Sequence, residues 1–476
     1  MCPLAGRDTS APVSKASTKP PSGTRDFLPT EVLRRRHVIE VVQRVYEAHG
    51  FAPLETPAIE NLSTLLGKYG EEGDQLMYRL LHRRDALSRP LAAAHAEGRV
   101  PAEHELADQG LRYDLTVPLA RVVAQYGELP KFFKRYQIQP VWRADRPGKG
   151  RFREFFQCDV DITGTTSLLA EAEVCSAVAT VLRELGFQEF EIRVNHRELL
   201  RAMIRAAGID AALEGTALVA VDKLDKIGRD GVLAELAQRG ISAGQGSQLL
   251  EILAPPAPPA GDEQADNAGV LARLRAQVDE RGRAAVDSLT ELLELCGQNP
   301  AGVHLKVSPE LARGLGYYTG PIFEIAVADL QGSLGGGGRY DELVGMFGKA
   351  QVPAVGFSLG LERILVVMAE RDMYPALDHG PDLMLCWLGV PPVELVRVAT
   401  QLRARGLAVE LFPEPAKLGK QLAYADADGV KARFAAIIGT KELDAGVITV
   451  KHLSSGAQET IALAELDRAR LESLAG

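Results

Sequence analysis

The chain contains 476 residues, of which 46% are hydrophobic and 25% are charged, and its formal net charge is −9. This balance is typical of a globular protein, and the length allows two to four domains of roughly 100–200 residues each. No apolar run approaches the roughly 18–20 residues of a membrane-spanning helix, so a membrane protein is excluded. Five scattered cysteines and nine scattered histidines form neither a disulfide framework nor a metal-ligand cluster. We therefore expect a cytoplasmic protein without a tightly bound, protein-ligated metal.

Regular structure is predicted to begin near Gly23. Residues 1–22 are rich in Ser, Thr, Pro and Lys and contain almost no large apolar residue, so they are predicted to form a disordered tail. Residues 31–49 place valines at the i, i+3, i+4, i+7 spacing of one helix face, and Gly50 ends this helix. Residues 51–59 carry two prolines, which allows at best an edge strand.

Residues 111–121 (LRYDLTVPLAR) place Asp114 and Thr116 on the same side of a predicted extended segment. The spacing Asp-x-Thr is common in turns and helix caps. By itself this pattern therefore assigns no function.

Residues 131–161 (KFFKRYQIQPVWRADRPGKGRFREFFQCDVD) are the most informative stretch. The 23 residues from Lys131 to Arg153 carry eight basic side chains and one acidic side chain, although the whole chain is acidic. Two strand-like segments flank a loop that is rich in turn residues, which predicts a long β-hairpin. Period-two alternation then puts one set of side chains on a common face: Arg153, Phe155, Gln157, Asp159 and Asp161.

A solvated outer face of an antiparallel sheet is the simpler interpretation of this alternation. It is disfavoured because a solvated face rarely keeps Phe155 and Gln157 between acids in so arginine-rich a segment. A concave site for an anion that carries a flat ring fits better. In such a site Arg143 neutralises a phosphate through its planar fork, and Phe155 stacks on a base.

Residues 195–302 have the apolar periodicity of helices, and we interpret them as a helical insertion between two parts of one domain. The stretch 254–269 (APPAPPAGDEQADNAG) interrupts them with four prolines and is predicted to be a loop. After residue 378 strands alternate with helices, which predicts a compact α/β domain of roughly 95 residues.

Two glycine-rich patterns and one strand–helix joint lie between these regions. Residues 313–324 (RGLGYYTGPIFE) and 335–343 (GGGGRYDEL) bracket tyrosines with glycines, although such runs are more often turns than ligand loops. Neither is a P-loop, because no G-x-x-x-x-G-K-[ST] motif occurs in the chain. In residues 354–368 an apolar strand breaks at Gly360 into a helix whose first turn carries Arg363. Each of these patterns, taken alone, is better explained by ordinary structure.

Together, in this order and at these distances, the patterns resemble the histidyl-tRNA synthetase family of class II aminoacyl-tRNA synthetases from about Gly23 to the C-terminus. Pro57 is similar to the dimer-interface proline of the first class II motif, the hairpin from Arg143 to Asp161 to the second motif, and GLER at 360–363 to the third. RGLGYYTG and GGGRYDEL resemble the two stretches peculiar to histidine-specific members. The C-terminal part, including LGKQLAYADADG, is similar to the family's anticodon-binding domain.

The resemblance implies an α+β fold with a six-stranded antiparallel catalytic sheet and flanking helices. It also implies a helical insertion, a C-terminal α/β anticodon-binding domain and a homodimer with Pro57 at its interface. The implied domains are a catalytic domain (residues 23–194 and 303–378), an insertion domain (195–302) and an anticodon-binding domain (379–476), after the tail of residues 1–22.

The implied reaction joins L-histidine and ATP into histidyl-adenylate and pyrophosphate, and then passes histidine to the 3′-terminal ribose of tRNA(His). ATP is a substrate that arrives with Mg²⁺ on its phosphates. Because the transition state at the α-phosphate gathers negative charge, preorganised positive charge is needed. By resemblance, Arg143 and Arg313 are the catalytic residues that approach this phosphate from two sides. The whole implied ATP site consists of Arg143, Asp145, Arg151, Phe155, Arg313, Gly360 and Arg363.

In the implied histidine site, Asp114, Thr116 and Gln157 accept hydrogen bonds from the α-ammonium group, while Asp161 and Tyr318 hold the two imidazole nitrogens. A site that satisfies both nitrogens rejects apolar analogues by roughly 10⁴–10⁵, because its own polar groups are otherwise left unpaired. The whole implied histidine site consists of Asp114, Thr116, Gln157, Asp161, Tyr317, Tyr318 and Tyr340.

The basic hairpin loop is the implied contact of the tRNA acceptor end, through Lys149 and Arg153. Two positions depart from the family pattern. Gly316 stands where members more often carry Asp, and Asp114 stands where many relatives have Glu. The first departure removes a carboxylate that could orient the histidine pocket.

The main alternative is a non-catalytic relative that binds histidine and regulates ATP phosphoribosyltransferase. Such proteins usually lack the anticodon domain and have lost ATP-binding arginines, whereas this chain has a full C-terminal module and keeps Arg143, Arg313 and Arg363. A stand-alone RNA- or histidine-sensing module is a further alternative, and the combination of a histidine pocket with an ATP site argues against it. The resemblance therefore favours the ligase.

Overall fold

The computed structural model describes residues 17–254, 267–312, 316–328, 330, 332–348, 350–377 and 380–475. Most of the tail predicted at residues 1–22 and of the loop predicted at 254–269 therefore lies outside the described residues. The chain divides into two compact units. The first holds Arg35–Met373 together with the segment that ends at Phe27, and the second holds Leu28–Arg34 and the chain from Tyr374 onward. In the part of the chain that is described, no helix is both long and apolar enough to cross a membrane.

Strands run through both units. In chain order they are β1 (Ala52–Pro53), β2 (Ile59–Asn61), β3 (Arg79–Leu81), β4 (Ala107–Leu111), β5 (Phe133–Trp142), β6 (Glu154–Thr163), β7 (Glu191–His196), β8 (Leu305–Val307), β9 (Pro321–Ala326), β10 (Gly335–Arg339), β11 (Ala354–Gly360), β12 (Leu383–Leu388), β13 (Val409–Leu411), β14 (Phe434–Gly439), β15 (Val447–His452) and β16 (Gln458–Ala462). They build an eight-stranded sheet, a five-stranded sheet and a small sheet in the order β2-β4-β3.

Helices connect these strands. In chain order they are α1 (Pro29–Ala48), α2 (Leu62–Leu65), α3 (Gly70–Gln75), α4 (Asp85–Glu97), α5 (Glu103–Leu106), α6 (Thr116–Gln125), α7 (Leu169–Glu184), α8 (Arg197–Ala206), α9 (Glu214–Val221), α10 (Leu224–Gln238), α11 (Ala243–Leu253), α12 (Asn267–Gln277), α13 (Glu280–Cys296), α14 (Leu361–Glu370), α15 (Pro392–Ala404), α16 (Leu418–Ala425), α17 (Thr440–Ala445) and α18 (Arg468–Ala475). The region predicted to be a helical insertion contains α8 to α13.

The large sheet has the strand order β1-β5-β6-β11-β10-β9-β7-β8. The predicted count of six strands is therefore wrong, because the sheet has eight. The central strands β5, β6, β11, β10, β9 and β7 each pair antiparallel with their neighbours in this series. At the two edges, β1 pairs parallel to β5 and β8 pairs parallel to β7. Strand β1 lies within residues 51–59, which the sequence allows to be at best an edge strand, and β8 is only three residues long, too short for an alternating pattern to reveal it. The α+β class with flanking helices and a separate C-terminal domain is confirmed.

The predicted hairpin consists of β5 and β6, which pair from Phe133 opposite Thr163 to Trp142 opposite Glu154. On one face of β6 Cys158 is fully buried, and its carbonyl accepts a hydrogen bond from Tyr46 of α1 at 3.4 Å. The opposite face of β6 carries the polar side chains that the alternation predicts, and it lines a cleft.

Helix α7 packs against β11 and β6 through a continuous apolar stripe. Val174, Val178 and Val181 are fully buried at i, i+4 and i+7, and each such side chain contributes about 1.5–3 kcal/mol. Because this helix covers one face of the sheet, the polar side chains of β6 are left for the other.

The C-terminal unit is built on the five-stranded sheet in the order β13-β12-β14-β15-β16. Strands β12, β13 and β14 are parallel and alternate with α15 and α16, as the sequence predicts. The antiparallel strands β15 and β16 extend this sheet and were not predicted. Leu385, Val398 and Phe434 are fully buried in its core.

Candidate active site

A cleft of about 920 Å³ lies on the sheet face that bears the polar side chains of β6. Its walls come from the loop before α6, the β5–β6 hairpin, strands β9 to β11 and the first turn of α14. Every residue of the predicted histidine site lines this cleft, and so does every described residue of the predicted ATP site. Arg313, which belongs to both the catalytic and the ATP predictions, lies outside the described residues.

Asp114 is almost fully buried in the cleft wall. Its carboxylate accepts hydrogen bonds from the hydroxyls of Tyr69 at 3.0 Å and Tyr317 at 3.3 Å. It also accepts one from the backbone N–H of Val117 at 3.0 Å, because Thr116 begins α6. The prediction of an extended segment here is wrong, since the Asp-x-Thr spacing satisfies a helix N-terminus. Burial raises the pKa of Asp114, and the Val117 hydrogen bond opposes this rise.

The polar face of β6 brings Gln157, Asp159 and Asp161 into the cleft, and all three are buried. Gln157 donates to the Ser358 hydroxyl at 2.6 Å. Among the described residues, none donates a hydrogen bond to Gln157 Oε1 or to Asp159 Oδ1. Buried acceptors without a donor are costly, so they indicate a ligand that donates hydrogen bonds.

Three tyrosines close the other side of this group of acceptors. The Tyr340 hydroxyl donates to Asp161 Oδ1. The Tyr317 ring lies edge-on to the rings of Tyr318 and Tyr340, with centroids 5.0 and 6.0 Å apart. Burial raises the pKa of Tyr317 and of Tyr340, so both phenols stay neutral donors at physiological pH. Gly316, one of the two positions that depart from the family pattern, is exposed.

Gly356 of β11 lies opposite Asp161 of β6 in the sheet. A Cβ atom at this glycine would meet Asp161 Oδ1 at 1.8 Å. We expect Gly356→Ala to displace this carboxylate and raise the KM for histidine by about tenfold or more, equivalent to about 1.4 kcal/mol. The KM for ATP should stay within about twofold. Steady-state kinetics of histidine activation measures both constants.

Gly127→Ala is the matched control, because a Cβ there meets open space. Thermal unfolding of both variants separates a local displacement from a damaged sheet. An unchanged histidine KM in folded Gly356→Ala would contradict the assigned position of Asp161.

Arg143 follows β5 and lies between two aromatic rings. Its guanidinium carbon is 4.3 Å from the centroid of the Tyr113 ring and 5.2 Å from that of Phe155. Its Nε donates to the Tyr113 carbonyl at 3.1 Å. The rings and this hydrogen bond fix the plane of the guanidinium, which suits it to recognise a phosphate.

The hairpin loop and α14 supply the remaining groups of the predicted ATP site. Arg151 forms an ion pair with Asp145 at 2.6 Å. Arg363 donates from Nη1 to the Ser333 carbonyl, and Gly360 is the last residue before α14. The Arg363 guanidinium is thus held close to Gly360, where the lack of a side chain lets a nucleotide approach the backbone closely.

The two residues predicted to contact tRNA differ in their surroundings. Lys149 lines the cleft and forms an exposed ion pair with Glu370 at 2.6 Å. Arg153 is not part of the cleft lining. Its Nε donates to the Asp145 carbonyl at 3.0 Å and its Nη1 to the Ser22 carbonyl at 3.3 Å. These contacts anchor the hairpin to the segment at Ser22, near the start of the described residues. A contact of Arg153 with tRNA stays a prediction.

Pro57, the predicted dimer residue, is exposed on this single chain. The carbonyls on both sides of it are held by Arg112, whose Nη1 donates to Thr56 at 2.6 Å and whose backbone N–H donates to Ala58 at 3.0 Å. An exposed proline in a fixed backbone suits a contact surface, and the dimer stays a prediction.

Sequence reasoning missed four cleft or cleft-supporting residues. Asp159 was placed on the correct face of β6 but was given no role. Tyr113 precedes Asp114 directly, and Arg135 lies opposite Asp161 in the predicted hairpin. The positions of both residues in the sequence therefore indicated that they lie near the site. Tyr69 carried none, because the fold brings it to Asp114 from a separate loop.

The described residues contain no group of three or more His, Cys, Asp or Glu side chains that could hold a metal ion. Glu310 and Glu324 also line the cleft. Carboxylate oxygens are suitable ligands for a magnesium ion that enters with a phosphate-bearing substrate.

An antiparallel core sheet flanked by helices, a cleft of this composition and a separate α/β domain define a class II aminoacyl-tRNA synthetase. The family model described as histidyl-tRNA synthetase matches residues 104–364, and that of an anticodon-binding domain matches residues 393–470. The chain belongs to the histidyl-tRNA synthetase family, as its motifs predict.

Similar proteins span nearly the whole chain. The histidine–tRNA ligase of Cytophaga hutchinsonii is 40% identical over 455 residues, which cover 94% of this chain and 98% of that protein. The histidine–tRNA ligase of Porphyromonas gingivalis is 41% identical over 449 residues, which cover 93% and 96%. The crystal structure of histidyl-tRNA synthetase from Nostoc sp. PCC 7120 matches with a TM-score of 0.74 at 28% identity and covers 97% of this chain and 99% of that chain.

Proposed function

We propose that the chain ligates L-histidine to tRNA(His) at the expense of ATP, through a histidyl-adenylate intermediate. The observation that carries this proposal is the cleft itself. It is lined by buried acceptors that receive no hydrogen bond from the described residues, and by Arg143, whose guanidinium lies over the Tyr113 ring. The ligation is further supported by relatives named histidine–tRNA ligase at about 40% identity over most of the chain. The regulatory alternative gains no support from them.

In the first step the cleft holds histidine by its polar ends. Asp114, with Thr116 and Gln157, accepts hydrogen bonds from the α-ammonium group. Asp161 accepts the hydrogen bond of one imidazole N–H, and Tyr318 meets the other ring nitrogen. Tyr340 holds Asp161 and Tyr317 holds Asp114 in these positions. Because Tyr317 and Tyr340 remain neutral, they donate to the carboxylates without adding charge.

The same step places ATP, as its magnesium complex, beside the histidine carboxylate. A carboxylate oxygen attacks the α-phosphorus, the bond to the bridging oxygen breaks, and pyrophosphate leaves with the electron pair. Arg143 and Arg313 stabilise the negative charge that gathers on the α-phosphate. Phe155 stacks on adenine and Arg363 meets the triphosphate, while Asp145, Arg151 and Gly360 shape the ATP site.

In the second step the 3′-terminal ribose of tRNA(His) attacks the adenylate, and AMP leaves. We assign residues 23–194 and 303–378 to the catalytic domain, 195–302 to the insertion and 379–476 to the anticodon-binding domain. Lys149 and Arg153 meet the acceptor end, where phosphate contacts position the RNA. The active form is a cytoplasmic homodimer with Pro57 at its interface.

Amino-acid-dependent ATP–pyrophosphate exchange, run with each of the twenty amino acids, tests the proposal. We expect exchange with histidine alone, followed by histidine transfer to tRNA(His) in an aminoacylation assay. Absence of exchange from a folded protein that binds histidine would overturn the proposal and favour the regulatory relative. Size-exclusion chromatography with light scattering tests the dimer separately.

A further inference from the structure

A buried cation beneath the histidine site is not explained by the roles assigned above. Arg135 of β5 lies directly opposite Asp161 of β6, and its side chain is 0% exposed. Its Nη2 lies 2.8 Å from Asp161 Oδ2 and 3.8 Å from Asp159 Oδ2. Because desolvating a guanidinium is costly, a buried arginine is retained where its charge serves a partner.

Arg135 also connects the two walls of the histidine site. Its Nη2 donates to the Leu115 carbonyl at 3.2 Å, and its Nη1 donates to Gln137 Oε1 at 3.1 Å. Leu115 directly follows Asp114, which is the proposed acceptor for the α-ammonium group. One planar guanidinium therefore sets the distance between the Asp114 wall and the Asp161 wall.

Several titratable groups surround Asp161, and they act on its protonation in opposite directions. Among the described residues, the titratable groups facing it, apart from Arg135, are Asp114, Asp159, Tyr46 of α1 and Tyr340 after β10. Burial raises the pKa of Asp161, while the charge of Arg135 and the Tyr340 hydrogen bond lower it. In the described part of the chain, Arg135 is thus the cation closest to Asp161, and its charge opposes protonation of that carboxylate.

We propose that Arg135 is a positioning residue that keeps Asp161 an ionised acceptor for the imidazole N–H of the substrate. This inference rests on the proposed function and deepens it, because it names what makes the site specific for a ring that donates. A protonated Asp161 would itself donate on one oxygen and would compete with the ring N–H. Arg135 touches no substrate and acts through Asp161.

The first test compares Arg135→Gln with Arg135→Lys in histidine-dependent ATP–pyrophosphate exchange across a pH series. In Arg135→Gln, we expect kcat/KM for histidine to fall about 100-fold, because one partner of a buried ion pair is removed, with KM for ATP within about threefold. The acid limb of its pH profile moves to higher pH, because loss of the positive charge raises the pKa of Asp161. Arg135→Lys keeps the charge, so its acid limb stays with that of the wild type and part of the activity returns.

The Asp159→Asn variant is nearly isosteric with the wild type and keeps Arg135. We expect it to shift the acid limb of the pH profile in the direction opposite to that of Arg135→Gln. It removes the second carboxyl group that faces Arg135, at 3.8 Å, so the charge of Arg135 acts on Asp161 alone and the acid limb is expected to move to lower pH. Each profile is repeated with 1,2,4-triazole-3-alanine, whose ring is a much weaker base than imidazole. An acid limb that persists with this substrate belongs to the protein. Thermal unfolding verifies that each variant is folded.

The proposal is overturned if folded Arg135→Gln loses activity equally toward histidine and ATP with an unmoved acid limb. An unmoved limb in Asp159→Asn overturns it as well, and this decides the matter if Arg135→Gln does not fold. Failure of the proposed function looks different, because the wild type itself would then show no histidine-dependent exchange.

Discussion

Arg143→Ala should lower the kcat of histidine-dependent ATP–pyrophosphate exchange by about 10³-fold, the loss expected when a preorganised charge is removed from a transition state. The guanidinium lies between the rings of Tyr113 and Phe155, and only its Nε is used in the hydrogen bond to the Tyr113 carbonyl. Among the described residues, no acceptor is bound to its two terminal nitrogens. In the proposed ATP site these two nitrogens receive two oxygens of the α-phosphate, so the main loss is expected in the chemical step.

Two further variants make this result specific. Arg143→Lys keeps the charge but loses the planar fork, and we expect an intermediate activity. Arg89→Ala is the matched control, since Arg89 is 82% exposed on α4 and lies outside the cleft lining. Near wild-type exchange in Arg143→Ala, or an equal loss in Arg89→Ala, would refute the role of Arg143. Histidine binding, measured by calorimetry without ATP, should be nearly unchanged.

The part of the fold that the sequence predicts best is the part determined by local patterns. The alternation from Phe155 to Asp161 is a property of one strand, so it could be read from seven residues. The parallel strands β12 to β14 were equally visible, because each is a short apolar run between helices. Strand β8 was not, since its three residues are defined only by the neighbour with which they pair, whereas β1 lies in the segment 51–59 that was predicted to be at best an edge strand.

The residues of the site divide in the same way, into those that a local pattern indicates and those that only the tertiary fold brings together. Residues carried by a motif, such as Gln157 and Tyr340, reached the cleft as predicted, although their roles stay proposals. Thr116 shows the limit of pattern reasoning: Asp-x-Thr fits both an extended segment and a helix start, and only the contact of Asp114 with Val117 decides between them. Tyr69 meets Asp114 through the tertiary fold alone, and no spacing in the sequence could have paired them.

The charges of the cleft explain why these supporting residues matter. Three carboxyl groups, Asp114, Asp159 and Asp161, are buried in the cleft. The charge of Arg135 acts on Asp159 and Asp161, that of Arg143 acts on Asp114, and both oppose protonation of these groups. Burial raises the pKa of all three. A substrate that brings an ammonium group and a ring N–H satisfies these acceptors, so the site gains most from an amino acid with histidine's donors. Selectivity therefore depends on the protonation state of the pocket as much as on its shape.

Asp114→Asn is expected to raise the KM for histidine by about 10²–10³-fold, because a buried charged hydrogen bond is lost while its partner stays in place. The substitution keeps the size of a side chain that is 2% exposed, and one amide oxygen remains for the Val117 N–H. The hydroxyls of Tyr69 and Tyr317 then compete for the same oxygen, and the α-ammonium group faces an amide without charge. The KM for ATP should stay within about threefold, which separates this variant from Arg143→Ala.

The pH dependence distinguishes loss of charge from loss of shape. Because burial raises the pKa of Asp114, the wild type should lose histidine affinity as the pH falls through that pKa and the carboxylate takes up a proton. The amide in the Asp114→Asn variant cannot take up this proton. The weak histidine affinity of the variant should therefore not fall further for this reason as the pH decreases. Calorimetric titration of histidine between pH 5 and pH 8 measures the difference, with Asp108→Asn as the control because that carboxylate is 69% exposed. Wild-type affinity in folded Asp114→Asn would show that the ammonium group is held elsewhere in the cleft.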